Sequence, residues 1–155
     1  MAVILYGSDR LTKDVDIVAS GLLPLENQGL LKQGGARYDI QTARLTVAVD
    51  WITRNDEARR FYQAALKDAV RIKGVPVLTP EWLVILKYIA GRFKDQEDAV
   101  FLLSRPNLVN RLKLKEMVTE IGGNETWAVM KYGLKRWYDL ADGKSEADKD
   151  GYIDS

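Results

Sequence analysis

Asp14 and Asp16 are the residues in this chain best placed to do chemistry. They lie in Arg10-Leu11-Thr12-Lys13-Asp14-Val15-Asp16-Ile17-Val18, which alternates acidic and apolar residues after Lys13. Alternation at period two predicts a half-buried strand. On a strand the two carboxylates project from one face, with Cα atoms about 6.5–7 Å apart. Like charges so placed repel unless a cation stands between them. Mg²⁺, content with one or two carboxylates plus phosphate oxygens, suits such a pair. A solvated surface strand would need no metal, and the short acid-apolar-acid pattern leaves both readings open. Asp50 is the third candidate. It lies near the end of Leu45-Thr46-Val47-Ala48-Val49-Asp50-Trp51-Ile52, a largely apolar stretch expected inside a sheet. A carboxylate there is costly unless it is paired, bound to metal or emerging into water.

Composition narrows the chemistry. The 155 residues include no histidine and no cysteine. Ser-His-Asp and Cys-His triads, imidazole metal ligands, disulfides and thiolate zinc sites are therefore excluded. Any catalysis falls to carboxylates, Lys, Arg and metal. The 23 basic and 22 acidic residues give a net charge of +1, so bulk charge makes no case for nucleic acid. A hydrophobic content of 46% supports a real core. No apolar run reaches the ~18 residues of a membrane span and no signal peptide is visible, so the expected compartment is the cytoplasm, without a membrane partner.

The elements that must position these acids are expected as follows. Met1 to Tyr6 is apolar and reads as a buried strand or the last turns of a helix stopped by Gly7. Ser8-Asp9-Arg10 is a turn before the acidic strand. Gln28 to Ala36, with three glycines, reads as a loop after a short helical piece. Tyr38 to Ile40 and Leu45 to Ile52 are strands joined through Thr42-Ala43-Arg44. Asn55 caps a helix from Asp56 to Val70 with Phe61, Ala65, Leu66 and Ala69 inward. Val75 to Leu78 is a short strand, at an edge because of Pro76. Thr79-Pro80-Glu81 starts a helix to Ala90 with Leu83, Leu86, Ile89 and Ala90 inward. Asp95 caps the next helix, which ends before Pro106-Asn107. Leu108 to Ile121 and Glu125 to Leu140 are helices separated by Gly122-Gly123. The aromatic set Trp127, Tyr132, Trp137 and Tyr138 is expected in the core. The fold class is α+β (mixed α/β): an α/β core over 1–78, a helical region over 79–141 and a flexible acidic tail over 142–155. Within the tail, Asp148 to Ile153 echoes part of a calcium loop but lacks its bidentate Glu.

Taken together, Arg10-x-Thr12-x-Asp14-h-Asp16-h, Asp50 and Lys87-x-x-x-x-Arg92-x-Lys94-Asp95-x-x-Asp98, with Leu78 to Leu83 leading into the Lys87 helix, resemble one family. The chain is similar to minimal nucleotidyltransferases of the DNA polymerase β-like superfamily, and within it to type IV abortive-infection toxins. The likeness covers about Ala2 to Leu103 and implies a nucleotidyltransferase-type mixed sheet with helices. It makes Asp14, Asp16 and Asp50 the metal-binding and catalytic residues, with Mg²⁺ as cofactor. It assigns Ser8, Arg10, Thr12, Lys87, Arg92, Asp95 and Asp98 to nucleotide binding, with Lys87 and Arg92 near the triphosphate. The family's Gly-Gly or Gly-Ser pair, whose backbone amides cradle the phosphates, lies about ten residues before the first acid. Here five residues separate Ser8 from Asp14, so Gly7-Ser8 fits the following turn better, and the chain looks shortened at its N-terminus.

The implied reaction is metal-dependent transfer of an NMP group from an NTP to a hydroxyl of a protein, a tRNA or a small molecule. Asp14 and Asp16 would hold two Mg²⁺ ions, with Asp50 on one of them and near the acceptor as a candidate base. Two rival classes stand beside it. One is a non-catalytic binding or regulatory member of a toxin–antitoxin pair on the same fold, with a cognate antitoxin as partner. The other is a metal-dependent hydrolase or nuclease, against which the basic positions on a separate helix argue.

Overall fold

The computed structural model describes residues 6–7 and 14–144. The expectations for Met1 to Leu5, for Ser8 to Lys13 and for the tail beyond Lys144 lie outside the described residues. The chain divides into two compact units, one running to Thr79 and the other from Pro80. The architecture is mixed α/β: a multi-stranded sheet followed by C-terminal helices.

The first unit carries a four-stranded sheet. Its strands are β1 (Asp14–Val18), β2 (Gly29–Leu30), β3 (Gly35–Gln41) and β4 (Thr46–Ile52), in the order β1-β4-β3-β2. β1 runs parallel to β4, while β3 runs antiparallel to both β4 and β2. The β3–β4 hairpin closes where the sequence places it. Thr42 makes the turn, its backbone N–H and its hydroxyl both donating to the Leu45 carbonyl. Alternation then sorts the faces. Ala36, Tyr38 and Val49 are buried on one side, and Arg37, Asp39 and Asp50 stand on the other.

The glycine-rich stretch differs from expectation. Gln28 to Ala36 holds no helix but the β2–β3 hairpin. Gly34 and Gly35 both have φ near +100° (100° and 106°), and the Leu31 N–H donates to the Gly35 carbonyl at 3.0 Å. Only glycine takes that backbone without strain, so the residues that weaken a helix make the turn.

The helix expected over 56–70 is shorter at both ends: α1 is Arg59–Lys67. Its N-cap is Ala58 rather than Asn55, with no side-chain cap, and Asp56 Oδ1 accepts just before it from the Ala58 N–H at 3.2 Å and from Arg54 Nε at 3.0 Å. At the far end Val70 leaves the helix for β5 (Val70–Ile72), which pairs with β6 (Val75–Val77). The turn between them, Lys73-Gly74, has φ of 49° and 79°, two successive left-handed residues as a tight hairpin requires. Of the expected inward residues, Phe61 and Ala65 are buried, joined by Tyr62.

The second unit is helical: α2 (Pro80–Ala90), α3 (Phe93–Ser104) and α4 (Arg111–Ala141). Glu81 to Leu86 of α2 are all buried, as a helix that is apolar on every side must be. Ala90 is exposed instead of inward. Glu81, expected as an acid at a helix start, is buried and accepts from the Asn110 N–H at 2.9 Å. Asn110 in turn caps α4 through the Lys113 N–H. α4 spans both C-terminal helices expected from sequence and is broken at Gly123, whose φ of 78° and ψ of 175° are not helical. Trp137 is buried, but Tyr132 is 72% exposed, against its expected place in the core. Among the described residues no helix is long and apolar enough to cross a membrane.

Gly35 sets the register that aligns β3 with β4. A Cβ there would fall on the Trp51 carbonyl oxygen and lie 2.8 Å from the Thr53 nitrogen. With the positive φ added, Gly35→Ala is expected to destabilise the protein by at least about 2 kcal/mol in urea denaturation. A loss under 0.5 kcal/mol, on the scale of an ordinary surface change, would refute the register constraint.

Candidate functional site

The acidic face of the sheet is built by register. Asp16 pairs with Asp50 across the parallel β1–β4 ladder, and Asp14 pairs with Ala48 one step back along the same face. Neighbouring strands lie about 4.8 Å apart, so all three carboxylates rise from one patch of sheet. Their exposure differs. Asp16 is exposed, Asp14 is half-buried and Asp50 is 7% exposed.

Arg37 occupies the space between two of these acids. It stands opposite Asp50 on β3. Its Nε lies 2.7 Å from Asp50 Oδ1 and its Nη2 3.0 Å from Asp50 Oδ2, a bidentate fork, while the same Nη2 reaches Asp14 Oδ2 at 3.4 Å. The hydrogen bond and charge of Asp50, with smaller contributions from Asp14 and Asp39, raise the Arg37 pKa above its ordinary value. Paired charge of this kind is what allows a carboxylate to be buried.

The sequence suggests a metal ion between Asp14 and Asp16; the cation on this face is Arg37, and it bridges Asp14 and Asp50. Three carboxylates share one face on adjacent strands. The side chains as placed do not close into a group of three metal-binding acids among the described residues. Arg37 was missed in the sequence, although its signal was there. Counting back from the Thr42 turn sets Gln41 against Thr46, Asp39 against Ala48 and Arg37 against Asp50.

Of the residues assigned to nucleotide binding, Ser8, Arg10 and Thr12 lie outside the described residues. The other four come together in the second unit. Lys87 Nζ lies 2.6 Å from Asp98 Oδ2 and 3.4 Å from Asp95 Oδ1. Arg92 holds Asp95 through Nε at 2.7 Å and Nη2 at 3.1 Å. Asp95 is not the N-cap of α3. Arg92 is, and Asp95 sits three residues on, its carboxylate accepting from the Arg92 backbone N–H at 3.2 Å. Asp95 is 1% and Asp98 5% exposed. Burial pushes the Asp95 pKa up, but the Arg92 hydrogen bond and the charges of Lys87 and Arg92 outweigh it, so the net shift is downward.

A small cleft lies beside the end of β1 and the start of α1, lined in part by Ser20, Arg54, Asn55 and Arg59. Its interior volume is about 30 Å³, room for water and far below the hundreds of Å³ of a nucleotide pocket. Arg54 there is held by Asp56 and lies over the Tyr62 ring. The acidic face is therefore the stronger candidate. Comparison with protein families, curated proteins and solved structures finds no match to this chain.

Because Asp95 has a depressed pKa in the folded state, its contribution to stability is fully present above its ordinary value of 3.8 and is lost as pH falls through the folded value. Asp95→Asn removes the carboxylate that Lys87 and Arg92 share and is expected to cost about 2 kcal/mol at pH 7. The gap to wild type should narrow below about pH 4. Denaturation of both proteins at pH 7 and pH 3 checks this, and an unchanged gap at pH 3 would show that the charge of Asp95 is not what stabilises the helices.

Proposed function

We propose that this chain is a nucleotidyltransferase-type protein, acting in metal-dependent transfer of an NMP group from an NTP to a hydroxyl. The observation that supports this reading is the register that sets Asp16 against Asp50 and brings Asp14 onto the same sheet face. Likeness to the nucleotidyltransferase pattern in sequence is its second support. Asp14, Asp16 and Asp50 are the residues that would hold Mg²⁺. Bound there, the ion would neutralise triphosphate charge and lower the pKa of an acceptor hydroxyl.

The protein's own groups divide the remaining work. Asp50, nearly buried and held by two hydrogen bonds from Arg37, has the most fixed carboxylate of the three. Asp16, exposed, is the one open to an incoming ligand. The acceptor hydroxyl would belong to a protein, a tRNA or a small molecule.

One observation favours the second reading, a non-catalytic binding or regulatory member of a toxin–antitoxin pair. Arg37 already neutralises Asp50 and reaches Asp14. A face balanced in this way can serve as a polar contact surface for an antitoxin without binding metal.

Calorimetric titration with each NTP and Mg²⁺ separates the two. On the nucleotidyltransferase reading, wild type binds at least one NTP, and the double variant Asp14→Asn, Asp16→Asn weakens it at least about tenfold, or 1.4 kcal/mol. Absence of binding by the wild type would support the regulatory reading. Equal binding by both proteins would remove the acidic face as the site.

A further inference from the structure

We propose that the cleft beside the end of β1 and the start of α1 binds a phosphate oxyanion, with Arg59 as its charged ligand and Ser20, Asn55 and Gln63 as neutral donors. This stands apart from the nucleotidyltransferase reading and does not use the acidic face. β1 and β4 run parallel, and the chain leaves both of them along this cleft, through Ala19-Ser20 and through Arg54-Asn55. The crevice outside the carboxyl ends of parallel strands is where open α/β sheets take their ligands. Arg59 and Gln63 line the cleft from α1, four residues apart and so on one face of the helix.

The lining has the chemistry of an anion site. It holds two arginines and no acid. Arg54 is the fixed one. Its side chain is 11% exposed, both oxygens of Asp56 accept from it, and its Cζ lies 5.3 Å from the centre of the Tyr62 ring. Its charge is therefore answered without a ligand. Arg59 differs: it is exposed and, among the described residues, has no ion-pair partner. The side chains of Ser20, Asn55 and Gln63 likewise make no hydrogen bond among the described residues. A hydroxyl, two amides and an unpaired guanidinium thus line one small space from three segments of chain. A planar carboxylate is satisfied by a single fork from one side, whereas a tetrahedral phosphate presents oxygens in several directions. The interior volume of about 30 Å³ sets how much of the ligand enters. At about 10–15 Å³ for each water-sized atom it takes about two oxygens, so the phosphate group enters and the rest of the molecule stays outside.

Titration of the full chain with methyl phosphate, dimethyl phosphate and acetate tests this, read from the NMR signals of the Asn55 and Gln63 side-chain amides and the Arg59 Nε–H. Saturable shifts are expected with at least one ester, and acetate should bind at least about tenfold more weakly. The tighter ester names the source: a monoester for a terminal phosphate, a diester for a nucleic-acid backbone. Arg59→Gln should weaken ester binding at least about tenfold. Arg59→Lys keeps the charge without the fork and should fall between; it carries the test if circular dichroism shows Arg59→Gln to be unfolded. Lys67→Gln removes an exposed cation of the same helix outside the cleft and should bind as wild type does. Ester binding that is absent, that acetate matches, or that both Arg59 variants retain in full would overturn the proposal. Equal weakening by Lys67→Gln and Arg59→Gln would overturn it too, by showing diffuse attraction to a basic helix.

Discussion

The pairing of Arg37 with Asp50 is the constraint on which the first unit depends. A carboxylate exposed by only 7% carries a desolvation penalty of several kcal/mol unless a partner answers it. That partner comes from the adjacent strand, and only one register of the hairpin provides it. A slip of one residue would turn Arg37 to the apolar face and Tyr38 to the polar one. The ion pair and the alternation of apolar residues therefore specify the same alignment of β3 with β4.

The helical unit answers the same problem differently. Asp95 and Asp98 are buried on α3, and their cations come from α2 and from the cap residue between the two helices. Lys87 spans both acids from a helix that is otherwise apolar on nearly every side. Arg92 serves twice, as the N-cap and as the side chain that closes on Asp95. Helix start, helix pairing and charge neutralisation thus rest on four side chains, which gives these residues a structural reason to be present whatever the function of the acidic face.

Legibility in the sequence followed the range of the interactions. The strand after Asp14, the Thr42 turn, the Thr79-Pro80-Glu81 helix start and the stop at Pro106 are local signals, and each stands within a few residues of its expected place. The three acids could be picked out because their burial or spacing was costly on its own. What escaped depended on partners. β5 was hidden because Val70 and Ile72 continue an apolar pattern that a helix would also satisfy; only pairing with Val75 to Val77 makes it a strand. Glu81 looked like a dipole partner at a helix start, and its actual task, holding Asn110, lies 29 residues away. Tyr132 shares its helix and its residue class with Trp137, yet the first faces solvent and the second the core. Composition cannot separate them, because helix phase decides.

The break at Gly123 divides the longest helix of the chain in energetic terms as well as in direction. A straight α-helix over 111–141 would be one cooperative run of i→i−4 hydrogen bonds, opening from its ends inward. With φ of 78° at Gly123 the ladder is interrupted, and hydrogen bonds along the helix no longer couple the two halves. Leu114, Met117 and Val118 anchor the first half, and Met130, Leu134 and Trp137 the second. The residues around the break, Gly123 to Glu125, are exposed. Amide hydrogen exchange along this helix would thus show two islands of protection with a fast seam between them, while Arg111, bonded to Asp142 and lying over the Tyr138 ring, ties the far ends of the two halves to each other.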